Sequence, residues 1–492
     1  MKKQKKTKKT SMKFKLLARF LWLLAIAVTV FFGYELNKLN MLPFKYYFIA
    51  MAIMFLLMFI FGAVIWRKRV GKISLSFISI LMIIYLVIFS FGSLKIKDTV
   101  NFMEKNLGIK FETNVYYVLV NKNSEYEELK DIKGETVYSY KDQKDMKDVE
   151  KGLTKKVKVD IEYETSMYEL LNDLTTDEEL IVYVNAGNYD AMVQNDNEYA
   201  KKVRILETIE IKTKKERRES GLDISEDPFV ILISGIDTRS DSLPARSLSD
   251  ANILLAINPT THNILILSIP RDYYLTIPGT GGAKDKLTHT GVIGGIETTK
   301  ATLEEEFGIK INYYVRVNFN FVVNLVDAVG GIDINNDQDY GFSCWNNRSC
   351  YYDPGVNYGV SGDCALAFVR ERYAYSEGDR HRAANQRQVL ENLFHKITSS
   401  KTLISSYSDI LNSLNGTFET DLSMEDISKL VKMQINDMPD WTVYQYSVDG
   451  SGTSEYTYSY PNQALYVMIP DESTVAEAKQ RLSTILEIES DE

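Results

Sequence analysis

The stretch FVILISGIDTRSDSLPARSLSDANILLAINPTTHNILILSIPRD, residues 229–272, decides the fold. Two apolar runs, at 229–234 and 253–257, end or begin near a carboxylate, and a third run, at 263–269, leads directly into Pro270-Arg271-Asp272. Short, β-branched runs bounded by turn residues are typical of buried strands in a sheet that is covered on both faces. The stretch therefore predicts three strands of an α/β sheet.

Three charged residues stand at the predicted ends of these strands or in the adjoining loops: Asp237, Asp250 and Arg271. Ligands of open α/β sheets bind outside the carboxyl ends of the strands. Two carboxylates and an arginine that converge there predict a site for a cation and a phosphate. Each residue taken alone would be read as a turn residue or a surface charge.

Three apolar segments, at 16–32, 46–66 and 73–94, open the chain, and each is about as long as the roughly 20 residues that a bilayer span needs. Three such segments in succession predict transmembrane helices and disfavour a cleaved signal peptide. The tail at 1–15 and the loop at 67–72 are strongly basic, whereas the loop between the first two spans is not. The positive-inside rule then predicts a cytoplasmic N-terminus and an extracellular region after residue 94.

Charge is divided unevenly along the 492 residues. Residues 1–94 hold fifteen Lys and Arg and one acidic residue, a net charge of +14, so residues 95–492 carry −23 because the whole chain carries −9. A region this acidic is a poor binder of nucleic acid, and the basic tail beside the membrane favours contact with anionic lipid headgroups. An anionic substrate would therefore have to meet a local arginine cluster.

The densest arginine region runs from 368 to 388. If residues 368–373 are extended, Arg370 and Arg372 point to one face, and if the next segment is helical, Arg382 and Gln386 share a face. Several guanidinium forks that converge match the oxygens of a pyrophosphate. The competing interpretation is a network of surface ion pairs with Glu371, Glu377 and Asp379, which an arginine cluster alone would favour.

Other chemistries have little support. No two of the four histidines stand at ligand spacing, which disfavours a zinc site. No Gly-Lys-Ser/Thr follows the glycines at 279–282, which disfavours a nucleotide site. No nucleophile elbow is complete, which disfavours a serine hydrolase. Of the three cysteines, Cys344 and Cys350 could close a small disulfide loop or remain free thiols. Cys364, in an apolar context, is predicted to be a small core residue.

The motifs, taken together and in order, resemble the LytR-CpsA-Psr (LCP) family. The motifs that carry the resemblance lie at 235–239, 248–250, 268–272, 286–289, 326–332, 369–372 and 378–386. Three spans followed by an α/β module at about 114–209, which carries no motif of its own, resemble the capsule-associated CpsA branch. The implied fold is an α-β-α sandwich around a mixed central sheet, with an apolar tunnel for a polyprenyl tail.

The resemblance implies five regions: a basic cytoplasmic tail at 1–15, three transmembrane helices at 16–94, an extracellular accessory α/β domain at 95–213, a charged linker at 214–228, and the LCP catalytic domain with C-terminal helices at 229–492.

The resemblance also implies site residues by motif. Asp237 and Asp250 match the carboxylates of a magnesium site, and the pyrophosphate-binding set is Arg271, Arg370, Arg372, Arg382 and Gln386. Asp250, Arg271 and Arg372 are the predicted catalytic residues.

Two departures stand out. The family usually has Arg-Ser-Asp where this chain has Leu248-Ser249-Asp250, so the phosphate contact would be lost or supplied by Arg246. Where the family often has a further arginine, this chain has Ala383-Ala384-Asn385.

Two functions are compatible with the sequence. The first is a Mg²⁺-dependent phosphotransferase that moves a glycopolymer, expected to be capsular polysaccharide, from a polyprenyl-pyrophosphate carrier to peptidoglycan, with pyrophosphatase activity if water replaces the acceptor. The second is a regulator that binds a polyprenyl-linked ligand without turning it over and contacts capsule-biosynthesis proteins through the accessory domain. The cytoplasmic tail is too short for a DNA-binding fold.

Overall fold

The computed structural model describes residues 11–68, 70–107, 111–140, 146–214, 221–236, 243–399, 410, 414 and 416–488. The chain forms two compact units. The first contains the N-terminal helices and 423–439, and the second contains the two sheets and the helices that cover them. Asp237, most of the tail at 1–15 and part of the linker at 214–228 lie outside the described residues.

Three long apolar helices form most of the first unit: α1 Met12–Leu39, α2 Phe44–Ile65 and α3 Lys72–Asn106. All three are long and apolar enough to cross a membrane, as the sequence predicts. Small and apolar side chains, such as Ala18, Ala25 and Met58, fill the contacts between them. Inside the bundle the hydroxyls of Thr29 and Tyr85 are 2.6 Å apart, which pairs both polar groups away from lipid.

The second unit begins with a module built on a five-stranded sheet, which we call the first module. Its strands are β1 Phe111–Asn121, β2 Thr136–Tyr140, β3 Asp160–Glu164, β4 Ile181–Asn185 and β5 Val203–Lys214, in the order β3-β2-β4-β1-β5. Its helices are α4 Met146–Thr154, α5 Met167–Asp173, α6 Ala186–Asn195 and α7 Tyr199–Lys202, with a 3-10 helix at Leu129–Ile132. Asn185 begins α6, because its side chain accepts from the backbone N–H of Gly187.

The central sheet of the rest of the unit has six strands: β6 Phe229–Gly235, β7 Ala251–Asn258, β8 Asn263–Ile269, β11 Tyr313–Val317, β16 Phe418–Thr420 and β17 Thr442–Ser447. Their order is β16-β11-β6-β7-β8-β17. The sheet is mixed, because β7 runs antiparallel to β6 and β8, β16 runs antiparallel to β11, and the pairs β11–β6 and β17–β8 are parallel. The predicted fold class is confirmed.

Apolar side chains cover both faces of this sheet because successive residues of a strand point to opposite faces and the central strands are apolar at consecutive positions. Val230, Leu254 and Leu265 belong to one core, and Ile253 and Ile264 belong to the other. The helices of this part are α8 Leu287–Ile293, α9 Ile296–Phe307, α10 Phe319–Ala328, α11 Gly362–Arg370, α12 Asp379–Thr398 and the C-terminal helix α14 Glu472–Leu486. Helix α13, Met424–Asp437, belongs to the first compact unit.

Short strands complete the second unit outside the central sheet. They form four two-stranded pairs: β9 Tyr274–Thr276 with β10 Lys284–Lys286, β12 Ile332–Asn336 with β15 Gly355–Val360, β13 Phe342–Cys344 with β14 Asn347–Tyr352, and β18 Gly450–Tyr456 with β19 Ala464–Pro470. Helices α9 and α14 cover one face of the central sheet and α12 covers the other, which gives the α-β-α layering.

The structure corrects one local prediction. Residues 368–370 are the last turn of α11 rather than a strand, so period-2 alternation does not align Arg370 with Arg372. The first part of the tyrosine-rich segment near 444–460 forms β17, an edge strand of the central sheet.

Candidate active site

The strand ends bring two of the predicted site residues to one edge of the central sheet. Gly235, the last residue of β6, pairs with Ala251, the first residue of β7, and Asn252 pairs with Ile269 at the end of β8. Asp250 therefore precedes β7 at the edge where β6 and β8 end, and Arg271 follows β8 by two residues. Because β7 runs antiparallel to β6 and β8, its first residues lie at the sheet edge where β6 and β8 end. Asp250, which precedes β7, is therefore at the same edge as Arg271, which follows β8.

Arg271 and Asp250 are in direct contact. Arg271 Nη1 donates to Asp250 Oδ1 at 2.6 Å, and the side chains are 23% and 15% exposed. Burial alone would lower the pKa of Arg271, but the charges of Asp250 and Asp272 raise it above its usual range. Asp272 is also paired with Lys286 Nζ at 3.2 Å. The pair is thus a fixed, partly solvent-accessible part of the site.

Buried side chains fix the turn that ends at Asp250. The hydroxyl of Ser249 is 2.7 Å from that of Ser234 and donates to Asn252 Oδ1 at 2.6 Å. The backbone N–H of Asp250 donates to the carbonyl of Gly235 at 2.8 Å. These groups are buried and hydrogen-bonded, so the backbone at Asp250 is fixed by the strand ends, in addition to the contacts that the Asp250 side chain makes.

Two more predicted arginines contribute charge to the same place. Arg382 lies in the first turn of α12, with its Nη2 3.0 Å from Asp379 Oδ1. Burial lowers the pKa of Arg382, the nearby carboxylate of Asp379 opposes this, and the positive charges of Arg271 and Arg372 lower the pKa further. The charges of Arg271 and Arg372 thus act on Arg382, and the three guanidinium groups form a cationic cluster suited to a polyanion.

Arg372 is positioned by a loop that Glu371 organises. Glu371 is only 1% exposed, and its Oε1 accepts from the backbone N–H groups of Arg372, Tyr373 and Ala374 at 2.7–3.0 Å. Its Oε2 accepts from the backbone N–H of Trp345 at 2.7 Å. The Arg372 guanidinium lies over the rings of Trp345 and Tyr373. The sequence suggested that Glu371 was an ion-pair partner, but it is a buried acceptor for backbone amides.

The remaining predicted residues have other surroundings in the described part of the chain. Arg370 stacks on the ring of Phe319 at 4.2 Å. Arg246 lines a cavity of about 80 Å³ together with Arg316 and Glu297. Gln386 is half-buried on α12, one turn after Arg382. The assignment of Arg246, Arg370 and Gln386 to the phosphate set stays a prediction.

The disulfide differs from the pair considered in the sequence. Cys350 is bonded to Cys364, with their Cα atoms 5.2 Å apart, whereas Cys344 is a buried free thiol whose pKa burial raises to about 12. The bond joins β14 to α11, the helix that ends at Arg370. Cys344 and Cys350 stand on one hairpin, but the register of β13 and β14 pairs Cys344 with Asn347 and not with Cys350.

One contact in the site has no signal in the sequence. Gln194 Nε2, on helix α6 of the first module, donates to Asp250 Oδ1 at 3.1 Å. The helix sequence AGNYDAMVQN carries no recognisable catalytic motif. Gln194 and Asp250 are far apart in the sequence, so only the fold shows that their side chains are in contact.

The residues around Asp250 fit a magnesium ion. Among the described residues, no group of three or more His, Cys, Asp or Glu side chains could form a metal cage. Mg²⁺ needs no such cage, because it is commonly held by one or two carboxylates with water and substrate phosphates. Asp250 supplies oxygen ligands beside a cationic cluster, and Asp237, the second predicted ligand, lies outside the described residues.

The model of the LytR_cpsA_psr family matches residues 182–483, which is more than half of the chain. The chain belongs to the LytR-CpsA-Psr family. This confirms the resemblance at the level of the family, and the capsule-associated branch stays a prediction. The match of the LCP family model begins at residue 182, inside the first module, and therefore includes α6.

Proteins similar to this LCP chain are named as transferases. The polyisoprenyl-teichoic acid–peptidoglycan teichoic acid transferase TagU of Bacillus mycoides is 30% identical over 268 residues, 54% of this chain and 84% of that protein. TagU of Halalkalibacterium halodurans is 33% identical over 276 residues, 56% of this chain and 85% of that protein. The crystal structure of Bacillus subtilis TagT has 26% identity and a TM-score of 0.41, covering 56% of this chain and 95% of that one.

Proposed function

We propose that this protein is a membrane-anchored phosphotransferase that moves a glycopolymer from a polyprenyl-pyrophosphate carrier to peptidoglycan. The observation that carries the proposal is the cluster of Arg271, Arg372 and Arg382 around Asp250 at one edge of the sheet, in a family with relatives named as such transferases.

The cluster favours an anion with several oxygens. Arg271 Nε is buried, lies 3.7 Å from Asp272 Oδ2, and has no hydrogen-bond partner among the described residues. Arg382 pairs with the carboxylate of Asp379, and its pKa is lowered by burial and by its cationic neighbours. A pyrophosphate would supply oxygens to these donors and offset their mutual repulsion, and planar guanidinium groups bind such oxygens two at a time.

The reaction needs a base, a charge clamp and a leaving group. A hydroxyl of a peptidoglycan sugar attacks the phosphorus bonded to the glycopolymer, and its proton passes to Asp250 or another nearby carboxylate. The bond from that phosphorus to the bridging oxygen breaks, and polyprenyl phosphate leaves with the electron pair. Arg271, Arg372 and Arg382 stabilise the charge that develops on the leaving oxygens. Water in place of the sugar hydroxyl would give pyrophosphatase activity.

Magnesium is part of the proposal. Asp250, with Asp237, would hold Mg²⁺, which when bound neutralises charge on the pyrophosphate oxygens. The Oδ1 atom of Asp250 already accepts from Arg271 and Gln194. Oδ2 accepts no hydrogen bond within the described part of the chain, so it is the oxygen offered to an incoming ligand.

A lipid-linked substrate agrees with the apolar features of the chain. Three helices can anchor the protein in a membrane, and the basic segments at 1–15 and 67–72 support a cytoplasmic N-terminus with the site on the outer side. The sheet face under α12 carries apolar side chains that are only partly buried, among them Ile233, Leu255 and Ile257. This face is where we place the polyprenyl tail.

Capsular polysaccharide is the polymer we favour, because three spans followed by a separate α/β module resemble the capsule-associated branch. The relatives described above are named for teichoic acid. The two polymers can be distinguished only with donors that differ in the polymer attached to the same polyprenyl pyrophosphate.

The test uses the full-length protein in lipid nanodiscs with Mg²⁺, peptidoglycan oligomers and donors carrying capsular repeats or teichoic acid. We expect release of polyprenyl phosphate and appearance of polymer on the oligomers, with capsular repeats preferred. Asp250→Ala should still bind the donor but should lose transfer. Wild-type protein that binds the donors and leaves all of them unchanged would support the non-catalytic regulator instead.

A further inference from the structure

Helix α6 of the first module lies directly against the loop that carries Asp250. Ala191 packs with Leu248 of that loop and with Val292. A Cβ atom added to Gly187 would come within 3.2 Å of the carbonyl oxygen of Arg246, so the close approach of the helix favours glycine there. These contacts place one face of α6 along the 246–250 segment.

Strand β1 of the first module contacts Pro244 and Ala245, which precede the 246–250 segment. The backbone N–H of Ala245 donates to the carbonyl of Thr113 in β1 at 2.7 Å, and Thr113 also forms a parallel bridge with Pro244. The buried Arg316 donates to Ser247 Oγ at 2.9 Å from the other side. The catalytic loop is therefore fixed between the first module and the central sheet.

Gln194 completes the contact at the end of the loop. Its Nε2 donates to Asp250 Oδ1, the oxygen that also accepts from Arg271 Nη1. Two donors on one carboxylate oxygen define the orientation of the carboxylate and leave the other oxygen for a ligand. An amide suits this position because it donates without adding a positive charge that would compete with a cation or a negative charge that would repel Asp250.

Asp190 occupies the same face of α6, one turn before Gln194. Burial first, and then the negative charge of Asp250, raise the pKa of Asp190 to about 6, although its side chain is exposed. The first module thus brings a second carboxyl group into the electrostatic neighbourhood of Asp250.

We propose that Gln194 is a positioning residue of the active site, through which the first module orients Asp250 toward the magnesium ion and the pyrophosphate. The inference rests on the proposed function and gives the first module a catalytic task. Partners that hold a metal ligand in place commonly contribute 10-fold to 100-fold to metal affinity or activity.

The test compares full-length Gln194→Ala and Gln194→Met with the wild type in nanodiscs. Binding of Mn²⁺, a paramagnetic substitute for Mg²⁺, is measured by electron paramagnetic resonance, and transfer and Tm are measured on the same samples. Both variants should lose about 10-fold or more in Mn²⁺ affinity and in kcat with Tm unchanged. Met keeps the length of the side chain without the donor, so it separates the hydrogen bond from packing.

Asn123→Ala is the matched control. Asn123 is an exposed amide of the same module whose Nδ2 donates to Glu178 Oε1 at 3.3 Å, so the variant removes an amide–carboxylate bond away from Asp250. It should leave Mn²⁺ affinity and transfer unchanged. Unchanged Mn²⁺ affinity in both Gln194 variants, with or without a lower Tm, would overturn the inference. Wild-type protein that binds Mn²⁺ but transfers no polymer would refute the proposed function while the Gln194 comparison still stands.

Discussion

Replacement of Arg271 by lysine is the most direct perturbation of the proposed phosphate clamp. The side chain is 23% exposed, and its Nη1 bonds Asp250 Oδ1 at 2.6 Å. Its buried Nε lies 3.7 Å from Asp272 Oδ2 and has no hydrogen-bond partner among the described residues. One planar group can therefore hold Asp250 and still present a donor to the substrate. A lysine ammonium keeps the charge but cannot reproduce this fork.

The magnitude follows from the loss of one preorganised donor. Removing a single donor that acts mainly in the transition state costs roughly 2.7–4 kcal/mol, which corresponds to about 10²-fold to 10³-fold in turnover. We therefore expect Arg271→Lys to fold normally and to lower transfer from the polyprenyl-pyrophosphate donor by about 10²-fold or more. The assay is release of polyprenyl phosphate by the full-length protein, with circular dichroism and Tm to verify folding.

Arg481→Lys is the control with similar local geometry. Arg481 Nη2 lies 2.6 Å from Glu477 Oε1 on the C-terminal helix, but both side chains are exposed, at 41% and 47%. An exposed i,i+4 pair contributes only about 0.3–0.5 kcal/mol, so this variant should change neither transfer nor Tm appreciably. If folded Arg271→Lys kept near-wild-type transfer, Arg271 would belong to a structural ion pair and the phosphate-clamp assignment would be wrong.

Three further outcomes are expected. Reduction of the Cys350–Cys364 bond, or Cys350→Ser with Cys364→Ser, should lower the free energy of unfolding by about 3 kcal/mol, measured by denaturation with and without reductant. Burial is the main cause that raises the pKa of Asp421 to about 6. Between pH of about 4 and 6 the folded state therefore binds more protons than the unfolded state, so the free energy of unfolding should fall as pH rises through that window. Asp421→Asn should flatten this part of a Tm-against-pH curve, and an unchanged curve would contradict the assignment. Leu248→Arg should lower Tm, because it puts a charge into the contact with Ala191, and a variant as stable as the wild type would show that the loop can reorganise.

The sequence predicted the parts of the fold whose apolar pattern is strong. Strands β6, β7 and β8 were recognised because apolar residues on both faces make continuous runs, and their ends then located Asp250 and Arg271. The condition under which Arg382 and Gln386 share a face also holds, because both residues lie in helix α12. In both cases local periodicity and tertiary burial agree.

Predictions failed where the tertiary environment decides the role of a residue. Strand β17 lies at an edge of the sheet and alternates exposed and partly buried positions, with Tyr444 45% exposed, so its apolar signal is weak. Glu371 stands between two arginines in sequence, which favoured an ion pair, yet its carboxylate is buried under four backbone N–H groups. Neighbours in sequence do not reveal which groups a side chain meets across a loop.

The departure at Leu248 and the approach of helix α6 have one physical explanation. Leu248 is 8% exposed and packs with Ala191 and Val292, so the position where the family usually has an arginine is here part of an apolar contact between the first module and the catalytic loop. An arginine there would lose its hydration or push the helix away. The same contact brings Gln194 to Asp250. The loop therefore lacks one positive charge for the phosphate, but its carboxylate is oriented by Gln194. The remaining cluster of Arg271, Arg372 and Arg382 keeps the site cationic.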